Sequence, residues 1–493
     1  MPEPDAQTLA RRAEIVAAMR SIVPGEGVID HADGLRPYES DALTAYRQTP
    51  LVVVLPETVE QVSRILRWCH ERQVKVVPRG AGTSLSGGAL PLADGVLLGM
   101  SKFSNILEID YADRIAVVQP GVTNLAITRA VEDRGFYYAP DPSSQIACSI
   151  GGNVAENSGG VHCLKYGLTT NNVLGAQVVL MDGEIIRVGG RTLDAAGLDL
   201  IGLMVGSEGL LGVVTEVTVR ILRQPETARA MLIGFSSVEG AARCVAQVIE
   251  AGIIPAGMEM MDRPATHAAE AFVNAGYPLD AEAVLIVEFD GPSAECDHLI
   301  ERTDDIARAN GASSLRISQD EADRATFWAG RKAAFPAVSR LAPDYLCMDG
   351  TIPRRHLPEV LKRIGALARH HELGVANVFH AGDGNLHPLI LYDANQPGQL
   401  ERAEEFGNDI LRLCVEMGGV LTGEHGVGVE KRDLMPEMFS ETDLRHQQRV
   451  KCAFDPELLL NPGKVFPTLH RCAELGRMHV HHGQLPFPEL PRF

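Results

Sequence analysis

Between residues 50 and 225, short apolar runs alternate with glycine-rich turns and amphipathic stretches. Leu51-Val-Val-Val-Leu55 has the β-branched character of a buried strand and stops at Pro56. From Thr58 to Arg72, Val59, Val62, Ile65, Leu66 and Cys69 recur at helical spacing. Val74-Lys-Val-Val-Pro78, Ile115–Val118, Ala176–Leu180 and Val213–Leu222 predict further strands, and Gln224-Pro225 closes the segment. Residues 230–355 read as α+β, with strands at Met231–Phe235 and Ala283–Phe289 and helices around 237–251 and 293–310. Helices follow over 356–373 and 400–418, the second with Glu401, Glu404 and Arg412 on its wet face. Val378 and Leu389-Ile390-Leu391 read as strands flanking a glycine turn. The first 23 residues form an amphipathic helical pattern, and from about 468 the chain turns to proline, histidine and aromatic residues.

At 493 residues the chain exceeds one core, so two or three domains are expected. Hydrophobic content of 45% and charged content of 22% are those of an ordinary globular protein. A formal charge of −19 argues against nucleic acid as a partner. The nine cysteines show no C-x-x-C spacing. They read as scattered thiols in a reducing compartment, with no iron–sulfur centre in this chain. No signal-peptide core and no apolar run near the ~18 residues of a membrane span is present. The expectation is a cytoplasmic chain, held at a membrane only through partners.

The chemistry concentrates in His380-Ala-Gly-Asp-Gly-Asn-Leu-His387 and Gly423-Glu424-His425-Gly426. Any one histidine beside glycine also suits a plain turn. Two imidazoles and a carboxylate together suit a divalent metal with open positions, and the neighbouring His425 can take a proton there. The turn Gly382-Asp383-Gly384-Asn385 would bring the two histidine flanks together. Adjacent strand residues face opposite ways. Glu424 and His425 therefore share a site only if the backbone bends, which Gly423, Gly426 and Gly428 permit.

Three glycine-rich loops precede this region. Pro78 to Pro91 follows a strand but fails the dinucleotide fingerprint, because the third glycine position falls on Leu85. Its N–H groups could cradle a pyrophosphate, or it could be an ordinary turn. Asp141 to Gly160 keeps mostly small residues along twenty positions, which suits close approach to a flat ligand. Gly206-Ser-Glu-Gly209 with Gly212 forms the third loop.

In this order the loops resemble the FAD-binding domain of the vanillyl-alcohol oxidase/p-cresol methylhydroxylase superfamily. HAGDGNLHPL, GEHGVG and LNPGK resemble its FAD-linked oxidase C-terminal domain, in the D-2-hydroxyacid dehydrogenase branch, and the match covers about residues 45–467. YAPDPSSQIACSIGGNVAENSGGVHCLKYGLT, FWAGRKAAFPAV, CMDGTIPRR and the tail resemble, within it, the family of FAD-containing catalytic subunits of bacterial glycolate oxidase.

The resemblance implies an α+β fold: a two-subdomain FAD-binding domain at 46–226 and an α+β substrate (cap) domain at 227–419. A helical segment at 1–45 precedes these. A C-terminal return to the flavin site follows at 420–467, then an extended tail at 468–493 for partner docking. It implies noncovalent FAD, since Gly82-Thr83-Ser84 stands where tethered relatives carry histidine. The first loop would contribute Arg79, Gly80, Ala81, Gly82, Thr83 and Ser84. The second would contribute Pro142, Ser143, Gly151, Gly152, Asn157 and Gly160, and the third Glu208, Gly209, Val213 and Val214. His380, His387 and Glu424 would bind a divalent metal (zinc, manganese or iron), with His425 as base and Arg331 gripping the substrate carboxylate. Lys464 is offered as a second-rank FAD neighbour or a turn residue. Cys347 stands where relatives taking larger diacids carry a basic residue, which fits a small substrate.

The implied activity is FAD-dependent oxidation of glycolate, or a short D-2-hydroxy acid such as D-lactate, to the 2-oxo acid. Electrons would pass to a second FAD-binding-type subunit and an iron–sulfur subunit. The alternatives are a D-lactate dehydrogenase of the same fold, a non-catalytic FAD-binding assembly subunit, and a two-His-one-carboxylate iron oxygenase.

Overall fold

The computed structural model describes residues 2–193 and 197–467. The tail at 468–493, expected to dock partners, lies outside the described residues. Two sheets build the first half. One contains β1 (Val28–Ile29), β2 (Val52–Val54), β3 (Lys75–Arg79) and β4 (Gly95–Gly99) in the order β1-β2-β4-β3. Its β2, β4 and β3 run parallel. The crossover helix Val59–Arg72 starts at Thr58, whose side chain accepts the Gln61 N–H, and ends at Gln73 in the left-handed region. Its Val62, Ile65, Leu66 and Cys69 are buried, as the spacing predicts. They pack with Ile15, Val16 and Met19 of the N-terminal helix Arg12–Ile22.

The chain continues through β5 (Ile106–Asp110), β6 (Ile115–Val118), β7 (Phe136–Tyr137), β8 (Val173–Val179), β9 (Ile185–Gly189), β10 (Val213–Arg220) and β11 (Leu222–Arg223). Five of these form an antiparallel sheet in the order β5-β6-β10-β8-β9, and β7 pairs with β11.

The cap is one antiparallel seven-stranded sheet. Its strands are β12 (Thr227–Phe235), β13 (Gly257–Asp262), β14 (Ala283–Gly291), β15 (Ala312–Ile317), β16 (Asp344–Cys347), β17 (Gly374–Phe379) and β18 (Pro388–Tyr392). They lie in the order β15-β12-β14-β13-β17-β18-β16. Alternate residues serve two cores. Met231, Ile233 and Met260 pack with helices Val238–Glu250, Ser293–Ala309, Leu357–His370 and Gln399–Glu416. Leu232, Met261 and Val378 face helices Arg263–Val273 and Glu321–Val338. The second face turns towards the glycine loops.

Residues 420–467 leave the cap and return to the first sheet. Asn461 N–H bonds the Val76 carbonyl at 2.7 Å, and Val429 N–H bonds that of Ser86 at 2.9 Å. Among the described residues, seven cysteines are free thiols. Cys452 is disulfide-bonded, against the expectation of thiols throughout. Among the described residues no helix is long and apolar enough to cross a membrane.

Candidate active site

A cavity of about 430 Å³ runs between the three glycine loops and the cap. Fourteen positions expected from the sequence line it: Arg79 to Ser84, Pro142, Ser143, Gly151, Gly152, Glu208, Gly209, Val213 and Val214. Its walls are tight. A Cβ on Gly80 would lie 2.3 Å from the Ser149 hydroxyl, and one on Gly151 would lie 2.5 Å from Pro120.

Of the residues expected to hold the cofactor, two are not in the wall. Asn157 ends helix Ile150–Glu156 in the left-handed region, and its side chain accepts the Thr170 N–H at 2.9 Å. Gly160 packs its backbone against Asp141. Both shape the loop rather than face the cavity. Lys464 is also absent, because its ammonium is spent on the carbonyls of Gly88 and Leu90, at 2.8 Å each, and on Asn461.

Among the wall residues that the sequence reading did not single out is Glu156. Glu156 is half-buried, and its Oε2 is shielded from solvent with no hydrogen-bond partner. Glu208 stands near, with both oxygens taken by the N–H groups of Val427 and Gly428 at 2.7 Å. Burial and then the Glu208 charge push the Glu156 carboxyl well above the usual range. An unpartnered acid in a glycine-lined cleft is what a large polar cofactor would satisfy.

The cavity ends at His387, Glu424 and His425, with Lys332, Phe335 and Pro336 from the cap. The glycine turn places the His380 and His387 rings 5.1 Å apart at 81°. Both Nε2 atoms lie 3.3 Å from Glu424 Oε1. The His380 and His387 rings are 3% to 4% exposed. His387 and His425 stack with centroids 4.8 Å apart.

Asp349 explains how adjacent Glu424 and His425 share one site. This fully buried carboxylate accepts the N–H groups of Gly423 (3.1 Å), Glu424 (3.3 Å) and His425 (2.9 Å), and the Thr422 hydroxyl. Three successive amides on one carboxylate curl the backbone into a concave turn. Gly426 completes the bend at φ +84°, where a Cβ would lie 2.1 Å from Glu156 Oε2. Burial opposes the Asp349 charge, yet His425, Lys431 and His387 hold it well below the ordinary range.

The donor set fits a divalent cation. His380 Nδ1 lies 2.7 Å from Glu259 Oε1, so it carries the proton, and a neutral ring turns its Nε2 lone pair towards Glu424. His387 Nε2 lies 3.3 Å from both Glu424 Oε1 and Asp349 Oδ1, and two ring nitrogens converging on a carboxylate oxygen is an arrangement that a cation resolves. Without one, burial is outweighed by Glu259 and Glu424, and His380 is driven well above its ordinary range. His425 behaves oppositely: burial lowers it to about 4, leaving a neutral imidazole.

Arg331 does not lie in the cavity wall. It is 1% exposed, with Nε 2.8 Å and Nη2 2.7 Å from Glu259 Oε2. Nη2 is thereby ion-paired with the same oxygen that Nε bonds. Its helical position turns it towards the cap interior, where Glu259 draws it in.

Residues 50–189 match the family model for the FAD binding domain, and residues 224–465 match FAD linked oxidases, C-terminal domain. The chain belongs to the FAD-linked oxidases. It is 58% identical over 482 residues to glycolate oxidase subunit GlcD of Escherichia coli, covering 98% of this chain and 97% of that one. It is 32% identical to a probable mitochondrial D-lactate dehydrogenase of Danio rerio, over 92% and 91% of the two chains. The fold of this FAD-linked oxidase matches that of 4-ethylphenol oxidase from Gulosibacter chungangensis. The TM-score is 0.78 at 19% identity, covering 94% of this chain and 98% of that one. The expected superfamily fold is thus found, and the chain is an FAD-dependent oxidoreductase.

Proposed function

We propose that this oxidase converts glycolate to glyoxylate, as the catalytic subunit of a larger complex. The observation that carries the reading is the cluster of His380, His387 and Glu424, whose His387 and Glu424 line the end of the glycine-lined cavity beside His425. The similarity to a glycolate oxidase subunit supports the substrate.

FAD, held noncovalently by the three loops, supplies the two-electron oxidant. His380, His387 and Glu424 would hold a divalent metal, which lowers the pKa of a hydroxyl bound to it. His425 accepts the hydroxyl proton: its ring is neutral, it stacks on His387, and its Nδ1 is buried without a partner. Arg331 is assigned to the substrate carboxylate on the resemblance alone, since its guanidinium is paired with Glu259 outside the cavity wall. A guanidinium suits that task better than an ammonium. Phe335 and Pro336 cover the cavity end and exclude water. Asp349 holds the two-residue Glu424-His425 unit in register. Electrons leave through a second FAD-binding-type subunit and an iron–sulfur subunit, which would also account for attachment at a membrane.

A D-lactate dehydrogenase is the second reading, favoured by the similarity to such an enzyme. A panel of glycolate, D-lactate and L-lactate with an artificial electron acceptor separates the two. Glycolate should be turned over with the highest kcat/KM. A D-lactate value tenfold higher would select the second reading. No turnover of any substrate by the FAD-loaded chain would point to an assembly subunit.

A further inference from the structure

We infer that Glu259 is a positioning residue serving both the metal end and the carboxylate end of the site. This rests on the proposed roles of His380 and Arg331. Glu259 lies in β13, a strand buried along its whole length. Met260 pairs with Phe379 and Met261 with Val378, so the next pair in register joins Glu259 to His380. Met258 and Met260 face one cap core and Met261 the other. Alternation therefore puts Glu259 on the same face as helix Glu321–Val338, which carries Arg331.

The two oxygens divide their work. Oε1 takes His380 Nδ1 at 2.7 Å, and Oε2 takes Arg331 Nε at 2.8 Å. All three side chains are nearly free of solvent. A lone carboxylate at this depth would be costly, and these two partners offset it. The bond to Nδ1 fixes the His380 tautomer and ring plane, so that Nε2 is presented to the cation. The bond to Nε and the ion pair to Nη2 on the same oxygen fix the guanidinium plane. One carboxylate thereby sets the relative placement of the group that holds the cation and the group that holds the substrate.

The substitution Glu259→Gln tests this. A carboxamide keeps the volume but has one acceptor oxygen, so it can serve His380 or Arg331 and not both. The FAD-loaded protein is stripped of metal, and its Zn²⁺ affinity is measured by competition with a chelator. An affinity about 10- to 100-fold weaker than wild type is expected, with FAD content retained. At saturating metal the remaining defect should lie in KM for glycolate, raised about tenfold, rather than in kcat. Glu259→Asp keeps both oxygens, set farther back, and should fall between the two. Zn²⁺ affinity within twofold of wild type, in whichever variant accumulates, overturns the inference. Wild-type protein that binds no Zn²⁺ overturns the metal reading beneath it, and the inference with it.

Discussion

Asp349 Oδ2 accepts the backbone N–H of His425 at 2.9 Å, and the same carboxylate accepts the two preceding amides. The residue that makes the turn thus belongs to the cap, while the turn belongs to the segment returning to the first sheet. Asp349→Asn keeps the shape but offers amide hydrogens to amide hydrogens. We expect a loss of about 3 kcal/mol or more in stability, since a buried charge network is broken from one side. Chemical denaturation of the FAD-loaded protein measures it. Turnover should fall by at least ~100-fold, because both functional side chains of the turn are displaced. Wild-type stability would show that the turn holds itself.

His425→Ala should lower turnover by about 100-fold or more while FAD remains bound. Steady-state rates and the flavin-to-protein ratio check this together. Unchanged turnover removes His425 from the chemistry.

Much of this site was legible in the sequence, because chemistry-bearing residues stood among glycines that exclude other roles. The histidine turn, the bend after Glu424 and the loop walls were read from such patterns. Asp349 and Glu259 were not. Asp349 lies in a stretch marked only by resemblance, and its role depends on amides 74 to 76 positions later. Strand Gly257–Asp262 carries a glutamate in its centre and ends on aspartate, so no alternation marks it. Only tertiary partners make Glu259 a core residue. Helix Glu321–Val338 carries Pro336 near its end, which blurs its pattern. Arg331 was expected to grip the substrate carboxylate, and nothing in its sequence context signals that it also pairs with a buried carboxylate 72 positions earlier. Asn157 and Gly160 share the composition of the loop wall while turned away from it, a distinction that spacing does not carry.

A second junction between the two halves should respond to pH. His162 Nδ1 lies 2.8 Å from Asp141, its Nε2 lies 3.2 Å from Glu288 of the cap, and Arg324 bonds Glu288 at 2.7 Å. Burial opposes protonation of His162, but the two carboxylates raise it well above the ordinary 6.5. Its contribution is complete below that ordinary value and is lost as pH rises through the folded one. Burial likewise opposes the Glu288 charge, yet His162 and Arg324 lower it to about 2. That contribution is complete above the ordinary 4.5 and is lost as pH falls towards about 2. The difference in unfolding free energy between wild type and His162→Ala should therefore shrink from pH 6 towards strongly alkaline pH. A constant difference would contradict the ion-pair account.

Burial and the Glu208 charge disfavour ionisation of Glu156. Glu156→Gln should therefore leave the FAD dissociation constant within about twofold, because the carboxamide keeps a donor and an acceptor. Glu156→Leu should weaken FAD binding by about tenfold. Equal affinities for Gln and Leu variants would remove Glu156 from the cofactor's contacts.

The most direct measurement is anaerobic bleaching of the flavin band when glycolate is mixed with the purified, FAD-loaded chain before and after chelator treatment. The account predicts rapid bleaching by glycolate, its loss on chelation, and its return when a divalent cation is restored. Bleaching at an undiminished rate in metal-stripped protein would contradict the role given to His380, His387 and Glu424. Metal-replete protein that glycolate leaves fully oxidised would contradict the function itself.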